Sequence, residues 1–465
     1  MRTLSTVSTP QLETIHSGKV RESLRVDRAT RLIVATDRLS AFDRVLETPI
    51  PLKGAVLNGL SEYWFSKTQH IVENHMLRSI APNAMLVKEV VPIALEMIVR
   101  GYLAGSMWRR YTNGERTFSG VVVPDHLKQN ERFLQPILTP TTKEEKDRQI
   151  TPQGIIDTGL ATEAVYKRIE DAARRLFQHG TEVLAEKGLI LVDTKYEFGL
   201  LDGDLVLIDE LHTPDSSRFW SADDYADDPQ TVSPWDKEYV RVWLLEQGKE
   251  GERPDRLPDE IVEETSKRYE AIYEAITGEP LPESAGDPAE VLYRSLVAEE
   301  LIKDGVVAII MGSPRDRAFA RRIADCLEGY GVAVDLRVAS AHKTPESVSR
   351  IAQEYNNALE PVAIIAVAGL SNGLGGALAA NTTLPVINCP PFKDSSDMAL
   401  NINSSLMLPS MTPASTAIRP DNAALAALRS LNLRRLRERF ASDILKMKAA
   451  IVLEDQQMRG KKDAR

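Results

Sequence analysis

The sequence predicts two architectures in series, an α+β unit with antiparallel pairing and then an α/β domain with a parallel sheet. Three observations carry this. Up to about residue 211, short apolar strands (LIVATD, LEMIVRGYL, LILVDTKYEFGL, LVLIDE) are separated by long polar connections. After residue 304, apolar strands alternate with amphipathic stretches, the signature of βαβ units. Between them runs TGEPLPESAGDPAEVLYRSLVAEELIKD, from Thr277 to Asp304, whose first dozen residues carry Pro, Gly, Ser and acid and read as a linker. The expected boundaries are 1–278 for the first unit, 279–303 for the linker, 304–432 for the second domain and 433–465 for a C-terminal helix and tail.

In chain order, the first unit's helices are expected at 159–187, 234–249 and 258–277, where apolar positions recur at helical spacing. In the second domain three apolar strands each run into a polar turn. These are Gly312-Ser313-Pro314-Arg315-Asp316, Ser340-Ala341-His342-Lys343-Thr344-Pro345 and Gly369-Leu370-Ser371-Asn372-Gly373-Leu374-Gly375-Gly376. In open parallel sheets ligands sit outside the carboxyl ends of the strands where the order reverses, so the three turns are expected to form one pocket holding one imidazole. Beyond Asp421, Leu425, Leu428, Leu436, Phe440, Ile444, Met447 and Ile451 keep helical spacing for longer than a small domain needs to cover itself, which points to an oligomer contact.

Composition excludes several classes. The 465 residues suffice for about three domain-sized units. A formal charge of -10, with no basic block before the tail, speaks against a nucleic-acid partner. Two cysteines, Cys326 and Cys389, do not make a disulfide framework and fit a reducing cytosol. The N-terminus lacks a signal peptide's apolar core, and no run approaches the roughly 18 apolar residues of a membrane span. A soluble, cytoplasmic protein without a membrane partner is expected.

The first unit's polar clusters suggest anion and metal chemistry. Gly18-Lys19-Val20-Arg21 places two cations two residues apart, on one face if extended, where a phosphate could lie. Asp37-Arg38-Leu39-Ser40-Ala41-Phe42-Asp43 sets two acids, an arginine and a serine in one loop. In Arg100-Gly101-Tyr102-Leu103-Ala104-Gly105-Ser106, two glycines let the backbone approach a ligand while Arg100 and Ser106 can hold anionic oxygens. Most specific is the hairpin 193–210, where Glu197 and Asp209 interrupt apolar strands. A three-residue loop at 202–204 would set these acids across from each other on one face; a two-residue Asp-Gly turn would set them on opposite faces. Carboxylates sharing a face need a cation, and hard oxygen donors suit magnesium carrying nucleotide phosphates. Asp215 and Arg218 continue the same edge.

GKVRE, TDRLSAFD, LNGLSEYWF, RGYLAGS, LQPILTPTTK, LVDTKYEFG and LIDELHTPDSSRFW together resemble, in the same order, the phosphoribosylaminoimidazole-succinocarboxamide synthase family, over roughly residues 10–275. The resemblance implies that ATP, as a substrate, couples the carboxylate of carboxyaminoimidazole ribotide to the amine of aspartate. It also implies that Gly18, Lys19, Arg21 and Lys88 bind the nucleotide, that Glu197 and Asp209 hold Mg2+ with it, and that Asp37, Ser40, Arg100, Ser106, Asp215 and Arg218 meet the ribotide and aspartate.

Over about 304–430, MGSPRD, SAHKTP, AVAGLSNGLGG, NCPPF and SSLMLPS resemble the phosphoribosylaminoimidazole carboxylase family. That resemblance implies His342 as the proton carrier, with Lys343 beside it, and Gly312, Ser313, Asp316, Ser340, Gly369, Ser371 and Asn372 lining the site for aminoimidazole ribotide and carbon dioxide. The lysine after His342 and the Gly369-Leu370-Ser371-Asn372-Gly373 loop look like the branch that uses carbon dioxide directly. Two positions depart from it: arginines are expected where Leu370 and Met407 stand, and neither side chain binds a carboxylate. Two alternatives stay open for this domain, a mutase for the N-carboxylated ribotide and a non-catalytic ribotide-binding or assembly domain. The full expectation is an α+β synthase unit of two lobes with antiparallel sheets, followed by an α/β three-layer domain with a parallel, flavodoxin-like sheet. The family resemblance adds a homo-oligomer, an octamer.

Overall fold

The computed structural model describes residues 2–42, 44–144, 148–248, 253–283, 286–369 and 372–460. The chain divides into two units: Met1–Thr6 with Thr14–Ser295, and Val7–Glu13 with Leu296–Arg465.

The first unit is organised around the strand Leu189–Leu201. It pairs antiparallel with Val91–Tyr102 on one side and with Asp204–Ile208 and Ser217–Ser221 on the other. A second sheet orders Glu13–Ser17, Arg21–Arg25, Thr30–Ala35, Ala84–Lys88 and Met76–Ala81. Most of the described pairings are antiparallel, and Asp204–Ile208 pairs parallel with Glu73–Asn74. The helix Glu163–Ala185 starts where the Thr162 side chain accepts from Val165 N. It presents Tyr166, Ile169, Ala173, Leu176 and Phe177 to a core that also holds Trp64, Tyr196, Phe198 and Tyr269. Burying each large side chain contributes about 1.5–3 kcal/mol.

Of the helix expected at 234–249, the described residues form Glu238–Gln247, and residue 249 lies outside them. Its start is set by the Asp236 carboxylate, which accepts from Glu238 N at 2.7 Å and leaves 234–237 as a loop. The helix expected at 258–277 spans Asp259–Thr277 and stops at the left-handed Gly278.

The second unit has five parallel strands, Val306–Met311, Ala333–Val338, Val362–Val367, Val386–Asn388 and Ser415–Thr416. Their spatial order is second, first, third, fourth, fifth, the flavodoxin-like order. Every residue of the first and third strands is buried. Val307, Ile309 and Met311 pack with Ile323, Ala427 and Leu428 of the helices Arg317–Leu327 and Pro420–Ser430. Val306, Ala308 and Ile310 pack with Val348, Ile351 and Leu378 of the helices Pro345–Asn356 and Leu374–Ala379. The alternation gives three layers.

Three boundaries differ from the sequence reading. Pro288–Ala298 is a helix inside the expected linker, because Leu292 and Leu296, both buried, restore helical spacing once the Pro and Gly residues end. Residues 7–13 fold with the second unit. Ser8 O accepts from Leu359 N, Thr9 and Gln11 donate to the buried Glu360 carboxylate at 2.7 and 2.9 Å, and Gln11 also pairs with the Lys303 backbone. The helical pattern beyond Asp421 is two helices, Pro420–Ser430 and Arg434–Gly460, separated at the left-handed Asn432.

Candidate active sites

The hairpin that the sequence left open closes with a two-residue turn. Leu201 faces Asp204 across Asp202 and Gly203, both left-handed, and Glu197 faces Ile208. Simple alternation from this register sends Asp209 to the face opposite Glu197. The backbone overrides it, because Asp209 sits past the strand end with φ 69°, so its carboxylate returns to Glu197's side. There Lys195 lies 2.6 Å from Glu197, 3.0 Å from Glu96 and 3.7 Å from Asp209. Lys143 pairs with Glu197 as well, and Arg21 lies 3.3 Å from Asp209 and 2.6 Å from Glu210. Burial alone would raise the Asp209 carboxyl, but Arg21 and Lys195 hold it well below the usual range.

Beside this cluster lies a second. Asp193 joins Arg100, at 2.9 Å, to Arg218, and Arg218 reaches Glu238 at 3.7 Å. Glycine is required at 105, where φ is +55° and a Cβ would lie 2.2 Å from the Arg218 guanidinium. Ser106 is exposed on the first turn of the helix Gly105–Thr112. A third cluster joins Asp215 to the fully buried Lys53, at 2.8 Å, and to the Tyr269 hydroxyl, at 2.7 Å. Burial pulls Lys237 down to about 8 against the pull of Asp215, and pushes Asp236 up to about 7.

Other expected residues stand differently. Gly18–Arg21 is a turn closed by Gly18 N donating to Arg21 O, so Lys19 and Arg21 are not set on one extended face. Lys19 is exposed, and Arg21 reaches the acids. Lys88 lies 3.4 Å from Glu73. Asp37 is buried and spends both oxygens on backbone, accepting from Leu4 N and from Gly54 N at the start of the helix Lys53–Thr68. Ser40 is half-buried in the two-residue strand Ser40–Ala41. Lys53, Lys195, Lys237, Asp193 and Tyr269 were not among the expected residues. Lys195 and Asp193 were within reach of the sequence, in the quoted LVDTKYEFG, but Lys53 and Tyr269 join only through long-range packing.

In the second unit the three turns emerge at the carboxyl ends of the first three strands. Ser313 caps its turn by accepting from Arg315 N, and burial raises the Asp316 carboxyl. His342 and Lys343 are exposed. The His342 ring lies against Gly373, where a Cβ would be 3.3 Å from Nε2, so the second and third turns meet. Gly312 likewise abuts Ala368, just before Gly369. Ser340 O accepts from Thr344 N and closes the histidine turn. Asn372 is buried, donating to Ser405 Oγ at 2.8 Å, and its amide oxygen has no partner among the described residues. Leu370 and Ser371 lie outside the described residues. Met407 is 80% exposed.

A family described as SAICAR synthetase matches residues 14–256, and one described as AIR carboxylase matches residues 306–450. The phosphoribosylaminoimidazole-succinocarboxamide synthase of Azobacteroides pseudotrichonymphae is 44% identical over 57% of this chain and 84% of its own length. That of Bacteroides fragilis is 42% identical over 62% of this chain and 95% of its own. Among solved structures, the SAICAR-synthase from Saccharomyces cerevisiae complexed with SAICAR is 34% identical, with a TM-score of 0.54 over 60% of this chain and 100% of that one. The two matches make the chain a ligase unit followed by a carboxylase domain. The chain belongs to the SAICAR synthetase family and carries an AIR carboxylase domain behind it, which makes it a bifunctional enzyme of purine biosynthesis.

Proposed function

We propose that the second unit carboxylates aminoimidazole ribotide with carbon dioxide and that the first joins the product to aspartate, consuming ATP and giving succinocarboxamide ribotide, ADP and phosphate. The observation that carries the synthase reading is the convergence of Glu197 and Asp209 on Lys195. A carboxylate acylates an amine poorly until it is phosphorylated, so the unit must hold ATP and ribotide in line while charge passes between them. Lys19, Arg21, Lys88 and Lys195 supply cations for the phosphates. Arg100, Ser106 and Arg218 take the ribotide, oriented through Asp193. Asp215, Lys53 and Lys237 form the pole nearest aspartate.

Magnesium fits this donor set. Among the described residues no cluster of three or more metal-type ligands occurs, yet magnesium with nucleotide phosphates takes only one or two carboxylates and keeps waters. Glu197 and Asp209 would hold it, and when bound it supplies positive charge to the transferring phosphoryl group.

In the second unit His342 takes the proton from the tetrahedral ring carbon formed on carboxylation, a task suited to an imidazole near neutral pH. A second reading, ribotide binding without turnover, is favoured by Met407, an exposed thioether where an anion-binding arginine is expected. In the helix Arg434–Gly460, Leu436 and Phe440 are buried while Ile444, Met447, Ile451 and Val452 are exposed, and we assign that apolar face to contact with another copy of this chain. A cytosolic location accords with the free Cys326 and Cys389.

The test uses the full chain. Aminoimidazole ribotide with bicarbonate should give carboxylated product without ATP; adding aspartate and Mg–ATP should then release one ADP per succinocarboxamide formed. Ribotide binding without carboxylation of either substrate form would select the binding reading. No ADP release with carboxylated ribotide would sink the synthase reading.

A further inference from the structure

The loop 209–216 carries Asp209, Glu210 and Asp215 and leads into Arg218, so it serves all three charged clusters of the first unit. Three acids in seven residues repel one another, and such a loop needs an internal hold to keep its carboxylates turned toward the cations. At its centre His212 is fully buried and left-handed, with φ 47°. Its Nε2 lies 2.7 Å from the Tyr196 hydroxyl. Tyr196 sits between Lys195 and Glu197 on the central strand, and alternation points it to the opposite face of the sheet, into the core. The His212 ring meets the edge of Trp64 with centroids 4.7 Å apart. It presses on the helix Glu163–Ala185 at Gly180, where a Cβ would lie 2.4 Å from its Cε1. Hydrogen bond, aromatic edge and glycine notch therefore fix one ring from three elements. Burial pulls the imidazole down to about 3, so it stays neutral.

We propose that His212 is a positioning residue for the synthase reaction: pinned by Tyr196, Trp64 and Gly180, it holds the acidic loop so that Asp209, Glu210 and Asp215 keep their places for magnesium nucleotide and substrate. It touches neither; it acts through the loop. The assignment rests on the synthase reading above.

The test measures Mg–ADP binding to the full chain by calorimetry, with the melting temperature recorded for each variant. Tyr196→Phe deletes only the hydrogen-bonding oxygen and should weaken Mg–ADP about tenfold. His212→Phe keeps a ring but loses the bond and should weaken it by about 10–100-fold. His212→Gln restores a side chain able to pair with the phenol and should bind closer to the unaltered protein than His212→Phe does. Ile276→Ala, at a buried position seven residues beyond Tyr269 on the helix Asp259–Thr277, serves as the destabilised control. Unchanged Mg–ADP affinity in Tyr196→Phe and His212→Phe would overturn the assignment, as would failure of the glutamine to recover affinity or an equal loss in Ile276→Ala at matched melting temperature. Should His212→Phe not fold, Tyr196→Phe decides. If the unaltered protein binds no Mg–ADP, the synthase reading falls and this assignment with it; binding that the variants leave untouched sinks only the assignment.

Discussion

In the first unit the charged candidates of the three clusters are buried or half-buried and answer one another: Lys195 with three carboxylates, Asp193 with two arginines, Asp215 with Lys53 and Tyr269. In the second, His342 and Lys343 stand exposed at the ends of parallel strands, and what gathers them is topology. One unit builds its site by compensating charge in a low dielectric, the other by strand order. Buried clusters tie activity to stability and pH, since removing one partner strands the other; exposed loop ends allow a side chain to be lost with little effect on folding.

The sharpest way to break this contrast is to remove one chemical group from each unit. His342→Asn should lower carboxylation by about 10²–10⁴-fold while leaving melting temperature and ADP release unchanged. Loss of both activities would mean the sites are not independent. Asp209→Asn should lower ADP release by about 10²–10³-fold and spare carboxylation. Because it also leaves Arg21 and Lys195 short of a counter-charge, the first unit's melting should shift, a change His342→Asn does not share. Equal melting shifts in the two variants would erase the contrast.

Much of this architecture was legible in sequence, and the exceptions have separate physical causes. The parallel sheet could be read from the alternation of apolar strands and amphipathic stretches after residue 304, and the hairpin from Asp202-Gly203. The placing of Asp209 beside Glu197 could not, because it depends on one left-handed residue after the strand, which periodicity does not encode. Lys53 and Tyr269 reach Asp215 from 162 and 54 positions away, contacts that exist only once the core has formed. Asp37 shows the reverse: its loop invited a substrate role, while the fold uses both its oxygens to fasten backbone.

A smaller effect concerns residues 7–13, whose role in the second unit the domain boundaries drawn from sequence missed. Glu360 is buried, and among the described residues one of its oxygens accepts from Thr9 and Gln11. Thr9→Val in the full chain should destabilise the second unit by about 1–3 kcal/mol in urea unfolding, with Mg–ADP binding unchanged. A C-terminal fragment beginning at residue 296 should melt lower than the same unit in the full chain. Equal melting would show that these seven residues contribute nothing to it.

The smallest expected effect tests whether buried charge makes the first unit the pH-sensitive one. Asp236 accepts from Phe219 N at 3.3 Å and Glu238 N at 2.7 Å, and burial, only partly offset by Arg218, pushes its carboxyl up to about 7. Its folded value lies above the unfolded one near 3.8. The folded state therefore binds more protons between about pH 4 and 7, and stability falls as pH rises through that window. Above it the ionised, buried carboxylate is carried at full cost. Asp236→Asn cannot ionise, and gives up little beyond the longer bond to Phe219. Between pH 6 and 8 the unaltered first unit should lose on the order of 1 kcal/mol more than the variant, while the melting of the second unit should track equally in both proteins. Parallel pH slopes for the first unit in the two proteins would remove Asp236 as the titrating group and leave the contrast between the units resting on the ion pairs alone.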